Sequence, residues 1–163
     1  MSLNDATLHL LCGKIAAGKS TLTIQLGQLP NTIIVSEDYW LSRLYPGDMN
    51  SVADYIRCAA RLRDAMTAHL VAILKSGTSV VLDFPANTLA SRDWMRAIFE
   101  EAGVSHQLHF LDVPDHICRA RLRARNTVGE HEFAATDEQF EVITRHFVPP
   151  TTDEGFNVVV HQQ

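Results

Sequence analysis

Gly13-Lys14-Ile15-Ala16-Ala17-Gly18-Lys19-Ser20 fits the pattern G-x-x-x-x-G-K-[S/T] at every position. The chemistry of such a stretch is the capture of a triphosphate. Gly13 and Gly18 permit backbone conformations closed to other residues and let N–H groups approach phosphate oxygens. Lys19 is placed to put an ammonium on the β- and γ-phosphates, the Ser20 hydroxyl to ligate Mg²⁺, and Thr21 to add a further phosphate contact. Residues 13–21 together are therefore the expected nucleotide cradle. Thr7 to Cys12 is an apolar run of strand length, and Thr21 to Gly27 reads as a helix closed by glycine. That is the strand, loop and helix context the pattern requires, with the positive end of the helix dipole directed at the anion.

Other residues with chemical potential stand where predicted strands end. Thr32 to Ser36 is a β-branched strand followed by Glu37-Asp38, and Ser79 to Leu82 is a second one ending in Asp83. Ligands in open α/β sheets bind beyond the carboxyl ends of the strands, so both aspartates are expected at the crevice that holds the loop. Asp38 is the candidate proton acceptor for an attacking hydroxyl, with helix capping as the alternative. Asp83 is the candidate for holding Mg²⁺ or its water. Tyr39, Trp40, Tyr45, Pro46 and Gly47 follow, either walling an acceptor pocket or packing a loop onto the domain.

Two arginine patterns add to this. Pro114 opens a helix in which Ile117, Cys118, Leu122 and Ala124 share a side, with Arg121 and Arg125 between them on the apolar half. Such arginines need anionic partners, either bound phosphate or internal carboxylates, whereas Arg119 and Arg123 point to solvent. Arg92 falls in the first turn of a helix over 88–102, where the dipole disfavours a cation, which hints at a ligand contact.

The elements that must position these residues alternate. A long helix runs from a Ser51/Asp54 cap to Lys75, with Ile56, Ala59, Met66, Leu70 and Ile73 at helical spacing. Arg57, Arg61 and Arg63 lie off most of that stripe. Leu108 to Asp112 and Asn157 to His161 supply two more strands. Thr136 with Gln139 caps a helix carrying Phe140, Ile143 and Phe147, and residues 126–135, polar and glycine-containing, suit a lid. The pattern predicts a parallel, three-layer α/β sheet in a single domain spanning 1–163, with the lid at about 121–136.

Composition narrows the function classes. The chain has 163 residues, enough for one sizeable core, and a net charge of −5 gives no drive toward nucleic acid or anionic membrane. Neither a membrane span nor a signal peptide is visible, so a cytoplasmic location is expected. Cys12, Cys58 and Cys118 read as reduced core thiols, and Glu130-His131-Glu132 as a solvated loop rather than a metal site.

Taken together, the loop 13–20, Ser36-Glu37-Asp38, Val80 to Asp83 with Asn87 and Arg92, and Arg121 to Asn126 resemble a group of small P-loop kinases. That group includes polynucleotide 5′-kinase domains, zeta toxins and chloramphenicol phosphotransferase. The resemblance implies a nucleotide kinase-like P-loop NTPase fold with strand order 2-3-1-4-5. It implies Asp38 as general base and Arg121 and Arg125 as lid arginines. Departures lie at Tyr39-Trp40-Leu41, which separate Asp38 from Arg43, and in the spacing of Asp83 to Asn87. The expected activity is transfer of the γ-phosphate of Mg·ATP to a hydroxyl, with Lys19, Asp38, Arg121 and Arg125 catalytic. Tyr39, Trp40, Asn87 and Arg92 are expected at the acceptor pocket. A small-molecule acceptor and a monomer or weak dimer are expected, with a polynucleotide end or nucleotide sugar as the alternative acceptor. A non-catalytic ATP-binding switch and a plain ATPase are the rivals of other classes.

Overall fold

The structure is a computed structural model and describes residues 4–128 and 136–162. Five parallel strands, β1 (Thr7–Gly13), β2 (Thr32–Ser36), β3 (Ser79–Pro85), β4 (Ser105–Asp112) and β5 (Val158–Gln162), form one sheet in the order β2-β3-β1-β4-β5. The implied order is the observed one. Its central strand leads directly into the phosphate loop, because β1 pairs with β3 on one side and β4 on the other.

Helices α1 (Lys19–Gly27), α2 (Glu37–Leu44), α3 (Val52–Lys75), α4 (Leu89–Ala102), α5 (Asp115–Val128) and α6 (Asp137–Arg145) connect the strands. Parallel strands are covered on both faces, which is why β1 is buried along almost its whole length. On one face Leu8, Leu10, Cys12, Val80, Leu82, Phe84 and Leu108 pack with Cys58, Ala59, Leu62, Met66, Leu70 and Leu74 of α3 and with Met95, Ile98 and Phe99 of α4. Leu111 instead joins Cys118, Leu122 and Phe140, from α5 and α6, in a second cluster with Ala17 of the loop. Each fully buried leucine contributes roughly 1.5–3 kcal/mol. The three cysteines are free and buried, as the reading of reduced core thiols requires.

Local signals set the helix ends. Ser51 Oγ accepts from Asp54 N–H at 3.1 Å, but the Asp54 carboxylate reaches back to Asn50 N–H, one residue before the expected partner. Thr136 and Gln139 form the predicted capping box. Several expectations need correcting. Of residues 39–50, read as an aromatic loop, 39–44 belong to α2, which begins at Glu37 because Ser36 is extended and Glu37 and Asp38 supply acidic residues for the first turn. Ala59, Met66 and Leu70 of the expected stripe are buried and Ile73 packs against the core, joined by Cys58 and Leu62, but Ile56 is 61% exposed. Phe147 lies beyond the end of α6. Of the stretch 121–136 expected as a lid, 121–128 complete α5 and Thr136 caps α6. Residues 129–135 lie outside the described residues.

Candidate active site

The loop between β1 and α1 is shaped by three positions. Gly18 has φ of 108°, which an L side chain rarely adopts, and Ala16 also lies left-handed at 63°. At Gly13 a Cβ would meet Leu111 Cβ at 3.2 Å and Ala17 Cβ at 3.3 Å, so glycine lets the loop pass close over β4. Lys19 opens α1 and curls back over its own loop, donating from Nζ to the carbonyls of Gly13 at 2.5 Å and Lys14 at 2.8 Å. Burial pushes its ammonium down to about 8, with Asp83 opposing and Arg125 adding to the shift. Ser20 and Thr21 are exposed at the start of α1. Lys14 is held sideways by Asp115 at 2.5 Å, its charge lying 5.7 Å from the centre of the Phe147 ring.

The acidic residues converge on this loop. Parallel pairing sets Ser36 opposite Asp83, and Ser36 Oγ donates to Asp83 Oδ2 at 3.1 Å. The Asp83 carboxyl is pushed above the usual carboxylate range first by burial and then by the charge of Asp38, with Lys19 pulling the other way. Asp38 in turn stabilises the charged form of Arg125, which burial disfavours. Lys19, Asp83, Asp38 and Arg125 therefore form one electrostatic cluster drawn from α1, β3, α2 and α5. Arg125 Nε is buried without a hydrogen-bond partner. Arg121 Nη1 donates to Ala17 O at 3.5 Å, the reach limit of a hydrogen bond, so its guanidinium stands over the loop. Arg119 and Arg123 face solvent as read, and make surface ion pairs with Glu141 at 3.1 Å and Asp137 at 2.7 Å of α6. A shallow cavity of about 630 Å³ between Lys14, Asp115, His116, Arg119 and Arg123 is thus walled by cations already paired with carboxylates.

The expected acceptor residues divide. Tyr39 and Trp40 follow Asp38 on α2, 54% and 39% exposed, with rings edge to face at 6.5 Å. Arg92 is placed differently from its expectation. It is wholly buried, donating from Nε and Nη2 to the two Glu154 carboxylate oxygens at 2.7 and 3.2 Å and from Nη1 to Ala86 O and Val148 O. A cation in the first turn of α4 is thus offset by the half-buried Glu154 carboxylate, from the turn before β5, and not by ligand. The Asn87 amide is engaged with the phosphate loop, exchanging two hydrogen bonds with the Gly13 backbone at 3.0 and 2.9 Å.

Sequence reasoning missed Glu37. It is 2% exposed, accepts a short hydrogen bond from the Tyr55 hydroxyl and pairs with Arg63 at 3.5 Å. Burial pushes its carboxyl up while Tyr55 and Arg63 oppose. Arg63 also stacks on Trp94 at 5.3 Å. Arg63, read with Arg57 and Arg61 as lying off most of the apolar stripe, is in fact half-buried at its edge, four residues after Ala59 and three before Met66, and that spacing was the signal.

Comparison with known proteins bears on the fold. A structure from Chloroflexus aurantiacus, solved as that of a candidate kinase, superposes with a TM-score of 0.77 at 18% identity, over 99% of this chain and 87% of that one. APS kinase of Mycobacterium tuberculosis, solved with AMPPNP and APS, gives 0.61 at 19% identity, over 98% and 90%. A sugar kinase from Janibacter sp. gives 0.62 at 14% identity, over 97% and 85%. No curated protein matches the sequence. At these identities the superpositions establish a P-loop kinase-like fold. The sequence model of the AAA domain (AAA_33) matches residues 8–150, from the first core residue of β1 to the proline pair after α6, and the chain therefore belongs to that family.

Proposed function

We propose that the protein is an ATP-dependent phosphotransferase that moves the γ-phosphate to a hydroxyl of a small acceptor. The observation that carries the reading is the convergence of Lys19, Asp83, Asp38 and Arg125 at the carboxyl end of the central strands. Lys19 and the loop amides hold the phosphates. Asp38, exposed at the edge of the cluster, accepts the acceptor's proton as its oxygen bonds to the γ-phosphorus and the bond to ADP breaks. Arg121 and Arg125 offset charge on the phosphoryl group.

Ser20 and Asp83 are the residues that would hold Mg²⁺. Both offer oxygen, the donor this hard ion takes, and a cation beside Asp83 relieves its repulsion with Asp38. Among the described residues no group of three His, Cys, Asp or Glu could hold a metal, as suits an ion that takes its remaining ligands from phosphate and water. When bound, the ion would supply charge neutralisation to the phosphates. Tyr39 and Trp40 offer the acceptor an aromatic wall beside Asp38.

The test is a screen of hydroxyl compounds for stimulated ADP release, with mass detection of the phosphorylated product. Asp38→Asn should keep nucleotide affinity and lose at least about 100-fold in transfer. Retained transfer would remove Asp38 as the base. Phosphate release independent of any acceptor would make the protein an ATPase.

A further inference from the structure

The residues that grip the phosphate loop from beneath form a continuous chain of contacts. The Asn87 amide meets both backbone groups of Gly13, donating to its carbonyl at 2.9 Å and accepting from its N–H at 3.0 Å. A register shift where β1 leaves β3 brings residue 87 there: Leu11 pairs with Pro85, and Ala86 N–H donates to Leu11 O at 3.0 Å. The backbone of Asn87 is tied in turn to the segment after α6, because its carbonyl accepts from Val148 N–H at 2.8 Å. Arg92 closes the loop of contacts, bonding Ala86 O at 2.9 Å, Val148 O at 2.8 Å and Glu154.

The Gly13 carbonyl is buried and serves two donors, Asn87 Nδ2 and Lys19 Nζ. When Lys19 swings from its own loop onto phosphate, that carbonyl keeps a partner only through Asn87. A buried carbonyl left bare is costly, so Asn87 lowers the cost of releasing the lysine.

We propose that Asn87 is a positioning residue for the phosphate loop, and that the ion pair of buried Arg92 with half-buried Glu154 couples loop affinity to docking of the segment 147–154. The proposal rests on the reading of residues 13–21 as the nucleotide site and is independent of the acceptor. Calorimetric titration of the full chain with Mg·AMPPNP and with AMP tests it, because AMP carries no β- or γ-phosphate for the loop to hold. Asn87→Ala should weaken AMPPNP binding about tenfold and leave AMP within about twofold. A general packing defect would weaken both alike. Asn87→Asp, equal in size but lacking the donor, should behave as Asn87→Ala and decides the matter if the alanine variant does not fold. Glu154→Gln should weaken AMPPNP about threefold, and the loss should vanish in the Asn87→Ala background if the coupling runs through Asn87.

Unchanged AMPPNP affinity in folded Asn87→Ala or Asn87→Asp overturns the positioning role, and losses that simply add overturn the coupling. Failure of the wild-type protein to bind AMPPNP would overturn the nucleotide site itself.

Discussion

At the scale of residues, Lys19 is poised between two states. Its ammonium is solvated by its own loop's carbonyls, and burial brings its ionisation down to about 8. A lowered lysine pKa means that charge is lost as pH rises through that value. Nucleotide affinity of the wild-type protein should therefore be steady from pH 6.5 to 7.5 and fall above about 8, while Lys19→Ala should be weak and flat across the range. Titration with Mg·AMPPNP over pH 6.5–9.5 checks this, and equal pH dependence in both proteins would assign the effect elsewhere. Gly13 and Lys19 were legible in sequence because each acts through its own backbone or charge within eight residues. The partnership of Asn87 with Gly13, 74 positions apart, was not, since nothing in either residue specifies the other.

At the scale of elements, α2 has only eight residues, yet it carries the proposed base. An isolated helix of that length is marginal in water, so its position comes from tertiary anchors. Leu41 packs into the main core, and Glu37 is bound to Tyr55 and Arg63 of α3, with Arg63 lodged against Trp94 of α4. Glu37→Gln keeps the size of the side chain but weakens its pairing with Arg63. It should cost about 1–3 kcal/mol in urea unfolding. With the acceptor saturating, it should also lower kcat more than it raises KM for ATP, because it shifts Asp38 and leaves the loop in place. A matched change in KM alone would make the network purely structural. The helix itself escaped sequence reading because Tyr39, Trp40 and a nearby Pro-Gly pair outweigh an eight-residue periodicity.

At the scale of the whole molecule, three histidines cross the sheet from its centre to one edge. His9 Nδ1 and His109 Nε2 lie 3.0 Å apart, as do His109 Nδ1 and His161 Nε2, so β1, β4 and β5 are linked by side chains as well as backbone. Each contact needs one donor and one acceptor, which neutral rings supply in a fixed sequence of tautomers. Burial pushes His9 down, and burial with its two histidine neighbours brings His109 to about 4. A lowered pKa in the folded state means that the unfolded chain binds more protons below the ordinary value near 6.5. Stability held above pH 6.5 should be lost progressively between there and about 4. Urea midpoints measured across that range should show the fall, and His109→Gln should flatten much of it; an unaltered slope would exonerate the ladder. The spacing of these histidines in sequence carries no metal-like or catalytic pattern, and only strand order makes them neighbours.

By itself the sequence determined the loop between the first strand and helix and the alternation of strands and helices, whereas the two aspartates it set at strand ends stand inside α2 and β3. Loop and alternation depend on local pattern: periodicity, turn chemistry and the backbone freedom of glycine. Strand order came from resemblance, and the sheet carries it as β2-β3-β1-β4-β5. Only the tertiary structure decided what long-range charge pairing does. It buried Arg92 against half-buried Glu154, gave Asn87 to the loop, tied Arg119 and Arg123 to α6, and gathered Lys19, Asp83, Asp38 and Arg125 at one end of the sheet. A buried charge must find its partner wherever folding places one, and the chain gives no local mark of where that will be.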